Sequence, residues 1–401
     1  MAFSMMQLFL IGALGPRLVD DLGVSETVLG LTTTVGFGTA AVLSPLGGRI
    51  VDRVGPRRAL VALLAVSAAA LGLIGAADGP ALLLAAVALG GLPQALANPA
   101  TNKAVLATVP APKRGAVTGA KQAGVQWGAF AAGLPLAAAA GLVGWRGAVA
   151  VAAGAALLAG VWAWRTLPAD APPMPVRKPR SRAQQMPMGK SRSRAQPSAM
   201  PTSRTPAPPP GRHVPWLAAF SLFLGAGIAS VNTYLALFGA RQLGLGPTVA
   251  GALVAVLGVA GIAGRVCWSR AATPGRAPWF PALLAGGAVV AALLLALAVR
   301  AELLVWVAAV AVGVFAVSGN AVSMVLVMQR SASGRAGQDS ALVAAGFFAG
   351  FAVGPPLYGL LAERGRYGQG WLLVAAEFAV AGAVALAWAL RDRRTRTGVP
   401  A

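Results

Sequence analysis

Twelve apolar runs, most near the ~20 residues that a helix needs to cross ~30 Å of hydrocarbon, leave this chain few folds to adopt. They lie at 1–17, 27–49, 58–77, 80–108, 115–141, 145–165, 214–239, 247–269, 279–299, 302–328, 338–362 and 369–391. In hydrocarbon every backbone N–H and C=O must be satisfied within the protein, which admits helices or closed barrels. The runs lack the two-residue alternation of barrel strands. We therefore expect an all-α integral membrane protein with twelve transmembrane helices. Composition agrees: 11% of residues are charged, well below the roughly one quarter of a soluble domain. The first run gives about 16 residues before Arg17 and has no basic flank to anchor it, so a truncated first helix is expected.

A formal charge of +22 suggests an anionic partner until the positions of the charges are considered. Of the 33 Lys and Arg, 25 fall in the tail and the loops on one side of the membrane. Six fall in the opposite loops, so the basicity obeys the positive-inside rule. That places both termini in the cytoplasm, in an inner or plasma membrane. Residues 166–213 are rich in Pro, Ser and Arg and have no apolar period, and such a segment reads as a disordered basic cytoplasmic linker. It separates a six-helix half at 1–165 from a second at 214–391, with a tail at 392–401. A polybasic strip beside a bilayer suits anionic lipid. It carries no aromatic side chains on which bases could stack, so nucleic acid is not an expected partner.

The halves repeat one another. Asn98, Lys113-Arg114-Gly115, Gly124, Gly128, Gly133, Pro135 and Gly144-Trp145 are echoed by Asn320, Gly334-Arg335, Gly346, Gly350, Gly354, Pro355 and Gly370-Trp371. Between the second and third runs lies Gly-Arg-Ile-Val-Asp-Arg-Val-Gly-Pro-Arg-Arg, from Gly48 to Arg58. This segment resembles the loop between helices 2 and 3 of the major facilitator superfamily. The parallel six-helix repeat is that superfamily's construction, so the resemblance covers the whole chain. It implies a secondary transporter that rocks its two halves about a midplane site. It also implies a conformational latch made of Gly48, Asp52, Arg53, Gly55, Arg57 and Arg58. The Gly-Ala-Lys-Gln segment with Pro135 and Gly144-Trp145-Arg146 is similar to the branch with cyanate, nitrate and organic-anion carriers.

The resemblance implies that helices 1, 4, 7 and 10 line the cavity, with 2, 5, 8 and 11 beside them. Polar residues occur there. Gln94, Asn98 and Asn102 recur every four residues and so share a stripe of helix 4. Helix 5 carries Lys121, Gln122 and Gln126, helix 7 carries Asn232 and Tyr234, and helix 10 carries Asn320. Amides in hydrocarbon must bond a neighbouring helix or line a watered path, and each reading stays open here. Lys121 stands out, because a buried ammonium needs an anion and the interiors of helices 1–6 contain no acid. A charged substrate can be that partner, as can neighbouring amides. Glu377 is the one acid deep in a run and a candidate for proton coupling or a structural bond. Asp20, Asp21 and Glu26 read as solvated loop surface, His213 as exposed and Cys267 as a small packing residue.

One His and one Cys cannot assemble the usual acyl-transfer machinery, and the sequence offers no metal-ligand cluster and no phosphate-binding loop, so no enzyme and no cofactor are expected. The leading reading is a monomeric carrier of a small organic or inorganic anion, with the lipid bilayer as its other partner and protons as the coupling ion. A proton-coupled drug or metabolite exporter is the second reading. Against it, Ala129 stands where the helix-5 pattern of such exporters has Pro. A transporter-like sensor or scaffold that signals through the linker is the third.

Overall fold

Residues 1–110, 114–169, 211–272, 276–331 and 336–397 are described by the structure, a computed structural model, and they are helical apart from short turns. The linker from 170 to 210, most of the expected 166–213 segment, lies outside these residues, as do the side chains of Gly48 and Asp52.

Ten helical stretches are long and apolar enough to span a membrane. Two further features raise the number to twelve. Ala2–Ala13 and Gly15–Leu22 pass together as one span bent by 67°. Lys121–Thr166 is 46 residues long, a rise of ~69 Å that no bilayer accommodates as one span. It breaks at Gly144, whose φ of 73° and ψ of 163° leave the helical region where only glycine sits comfortably.

We number the spans accordingly. Helix α1 is the bent pair. Helices α2 to α4 are Glu26–Val54, Pro56–Gly75 and Pro80–Thr108. Helix α5 starts as Arg114–Ala131, passes a π-helical turn at Ala132–Leu136 and ends at Gly144; α6 is the remainder of Ala137–Thr166. Helices α7 to α9 are Val214–Arg241, Pro247–Ala271 and Phe280–Leu297. Helix α10 joins Leu304–Ala311 to Val317–Arg330 through a second π-helical turn, and α11 and α12 are Ala336–Ala362 and Tyr367–Thr397. Local chemistry sets several starts. Ser25 Oγ accepts from Val28 N at 3.2 Å to cap α2, and proline occupies the first turn of α3, α4, α7, α8 and α9, where no helical N–H is lost.

Packing is set by small residues. An added Cβ at Gly346, Gly350 or Gly354 of α11 would collide with the backbone of Ala218, Leu222 or Ala226 of α7. These two stripes of four-residue period let the helix backbones touch, the arrangement that replaces hydrophobic drive inside a membrane. Outward-facing Leu142, Leu158, Trp162 and Leu303 are each more than 65% exposed, as expected of a lipid-facing surface on a multi-pass protein.

Several residues differ from the sequence expectation. Arg17, expected in a loop, donates to the Ala137 carbonyl and to Thr248 Oγ1, each at 3.0 Å. Asp20 and Asp21 are exposed, as expected, although Asp20 pairs with Arg241 and Asp21 Oδ2 accepts from Trp145 Nε1 at 2.6 Å, whereas Glu26 is half-buried and its Oε1 accepts from Tyr367 Oη at 2.5 Å. His213 is buried and Cys267 is exposed, each the reverse of its sequence reading. The reason is common to most of these residues. Each meets a partner from a distant part of the chain, and no local pattern records it.

Candidate functional site

Besides the contact of α1 with α7, the first and second sets of six helices meet along two antiparallel pairs, α2 with α11 and α5 with α8. Between α2 and α11, Thr27 N donates to Glu363 Oε1 at 3.1 Å and Gly30 lies against Pro355 O. Thr34 Oγ1 donates to Ala352 O at 2.6 Å, and Phe37 packs 4.4 Å from Phe351. Contact ends there: an added Cβ on Gly38 would meet nothing within 4 Å, and Val42 is 76% exposed. All three tyrosines of the chain gather at this closed end. Tyr234 Oη donates to the Glu26 carbonyl at 2.6 Å, its ring stacks 4.5 Å from that of Tyr358, and Tyr367 holds the Glu26 carboxyl.

Lys121 lies near the opposite end, seven residues inside α5. Its ammonium donates to Asn102 Oδ1 at 2.6 Å and to Asn98 Oδ1 at 3.3 Å, both on α4. An ammonium has three donors, so two are met by neutral amides and one remains. Among the described residues no acidic side chain pairs with it. On the neighbouring face of α5, the Gln122 carbonyl accepts from Arg265 Nη1 of α8 at 3.4 Å, while the Arg265 Nε is buried without a partner. One turn further, the Gln126 side chain lies against Gly261 with its Oε1 buried and unpaired.

Gln94 is buried one turn above Asn98. With Gln7, Thr32 and Thr33 it lines a small cavity in which the Gln7 and Gln94 Oε1 atoms have no partner. The structure thus brings Lys121, Asn98 and Asn102 together, places Gln122 and Gln126 on the α8 side, and sets Gln94 in a separate polar pocket.

The remaining candidates lie elsewhere. Asn232 is buried and donates to Ile228 O of its own helix at 2.9 Å, leaving Oδ1 unpaired. Tyr234 seals the Glu26 end. Asn320 Oδ1 on α10 and Glu377 Oε2 on α12 are buried without partners. Within the expected latch, Gly48 and Asp52 belong to α2, and their side-chain surroundings lie outside what is described. Arg53 and Arg58 are exposed, Gly55 turns the chain at φ 91°, and the Arg57 guanidinium bonds the Trp164 carbonyl and sits 4.3 Å from that indole ring. Sequence reasoning missed Gln7, Thr33, Arg265 and the whole Glu26 cluster. The signal for Arg265 is its position six residues inside the end of α8, away from the loop charges.

The family description "Major Facilitator Superfamily" matches residues 1–343. The chain belongs to the major facilitator superfamily. Solved structures of this superfamily's fold agree. A bacterial homologue of the human lysosomal transporter Spinster, in an inward-facing and occupied conformation, superposes with a TM-score of 0.73 at 14% identity, over 98% of this chain and 94% of that one. A variant of the nucleoside transporter NupG gives 0.72 at 12% identity over 96% and 98%, and the human organic anion transporter MFSD10 gives 0.66 at 15% over 96% and 97%. No curated protein matches the chain in sequence. Membership makes this a multi-pass membrane transporter and not an enzyme.

Proposed function

We propose that this superfamily member carries a small organic or inorganic anion by alternating access, with Lys121 as the group that holds it. The observation that carries the reading is the Lys121 ammonium: it is met by two amide oxygens and by no carboxylate, with one donor left over. A charge so placed is costly unless an anion arrives, and a cargo that completes the set supplies the missing counter-charge. The two moving bodies are 1–165 and 214–391, joined by the 166–213 linker. The positive-inside rule puts the linker and both termini in the cytoplasm. The conformation is then closed to the outside at Glu26 and open to the cytoplasm beside α2 and α11. Glu377, with one carboxyl oxygen buried and unpaired, is the candidate for proton coupling.

The test is thermal unfolding of the purified full chain in detergent with a panel of small anions, cations and neutral solutes. A ligand that binds only the folded state raises the transition temperature by mass action. One class of anion should stabilise the wild type and fail to stabilise Lys121→Ala. Stabilisation by lipophilic cations instead, or an anion effect that survives in Lys121→Ala, overturns the anion reading in favour of the exporter.

A further inference from the structure

Arg265 and Lys121 sit at matching depth on facing halves. Along α5 and α8 the contacts keep one antiparallel register: Gly251 against Ala137, Ala255 against Gly133, Gly258 against Phe130, Gly261 against Gln126 and Arg265 against Gln122. Lys121 is seven residues from the first residue of α5 and Arg265 six from the last of α8, so both lie ~10 Å from the same end of the seam. A cation from each half therefore occurs at the last described step of that seam. The Arg265 guanidinium has five N–H donors, of which one meets the Gln122 carbonyl. Neither side chain forms an ion pair among the described residues. Elsewhere at this end basic side chains do meet acids: Arg330 grips Asp392 through both guanidinium nitrogens at 2.5 and 2.9 Å.

We propose that Arg265 is the second anion-holding group of this site, and that the preferred cargo is a dianion that engages Lys121 of one half and Arg265 of the other. The inference rests on the anion-carrier reading and sharpens it. Two uncompensated cations match two negative charges, whereas a monoanion leaves one cation unanswered. A guanidinium accepts a carboxylate or a phosphoryl group through two parallel N–H bonds, a geometry an ammonium lacks. Because the two cations belong to opposite halves, a dianion held by both bridges those halves beside the α5–α8 seam. A monoanion held by Lys121 alone does not.

The test uses succinate and butyrate, a dianion and a monoanion of equal chain length, as probes in thermal unfolding of the full chain. Wild type should be half-saturated by succinate at a concentration about tenfold below that for butyrate, the scale of one charge-assisted bond. Arg265→Gln should bring succinate to the butyrate level and leave butyrate unchanged, and Lys121→Gln should abolish both responses. Equal responses in wild type, or a succinate preference that persists in Arg265→Gln, overturn the dianion proposal while the anion site stands. Responses to both anions that survive Lys121→Gln, or no response in wild type, remove the anion reading and this proposal together. If Arg265→Gln does not fold, Arg265→Lys takes its place: losing the paired donors should reduce the succinate preference at least about threefold, and an unchanged preference overturns the proposal.

Discussion

Two antiparallel helix pairs flank the contact between the halves, and they behave differently along their lengths. The α5–α8 seam runs without a break from Thr248 at one end to Arg265 at the other, with glycines at nearly every turn. The α2–α11 seam is continuous only from Thr27 to Phe37, a rise of ~15 Å, although α2 itself is 29 residues or ~44 Å long. Beyond Phe37 the helices part. Related pairs in a repeated architecture would be alike in a symmetric state. In this structure α2 and α11 part beyond Phe37 while α5 and α8 remain in contact, and Lys121 and Arg265 lie beside the continuous seam.

The comparison can be broken by enlarging glycines. Gly133→Val should be the most damaging change, because its Cβ would collide with the Ala255 backbone across the continuous seam. Overpacking of this kind typically costs about 1–3 kcal/mol, and more where backbone cannot retreat. Gly38→Val, just past the end of the interrupted seam, should change the unfolding temperature little, since such open sites stay within about 0.5 kcal/mol. Equal losses in the two variants would mean that α2 and α11 do not part at this position.

It can be sharpened by loosening the closed end. Glu26→Ala removes the acceptor of Tyr367, and a hydrogen bond to a charged group contributes about 1.5–3 kcal/mol. Spin labels at Asp78→Cys and Glu302→Cys in a Cys267→Ser background should then show a longer-distance population. A distribution identical to that of the parent would place the seal elsewhere. Thr34→Val removes one neutral bond to Ala352 O and should shift the same populations by about 1 kcal/mol.

Acidification should have the smallest effect. Hydrogen bonds from Ser25 and Thr27 hold the exposed Glu363 carboxyl below its ordinary value of 4.5. A depressed carboxyl stabilises the closed end above its ordinary value and loses that contribution as pH falls through the depressed value. The distance distribution should broaden slightly below pH 4.5, and Glu363→Gln should remove that dependence.

Twelve spans were legible in the sequence because crossing a bilayer imposes length and apolarity on each run independently, so each can be recognised alone. Run 80–108 matches α4 at both ends. Lys121 was legible for the same reason, being a lone charge where none is tolerated cheaply. The Glu26 cluster was not. Its partners Tyr234, Glu363 and Tyr367 lie more than 200 residues away, and an acid followed by an apolar run looks the same whether it faces water or an opposing helix. Arg265 was hidden differently: charge counts by loop assign a residue near a helix end to the loop. Its distance from the end of α8 is what separates it from a topological marker.

Gly144 has a consequence for biogenesis. A single residue turns α5 into α6, with no loop to let one span wait in the bilayer for the other. The two should leave the translocation machinery as one hairpin whose orientation is decided jointly. In the proposed orientation Lys121, near the cytoplasmic foot of that hairpin, travels only the shallow part of the membrane during insertion. The cation would reach its final depth without ever having crossed the hydrocarbon.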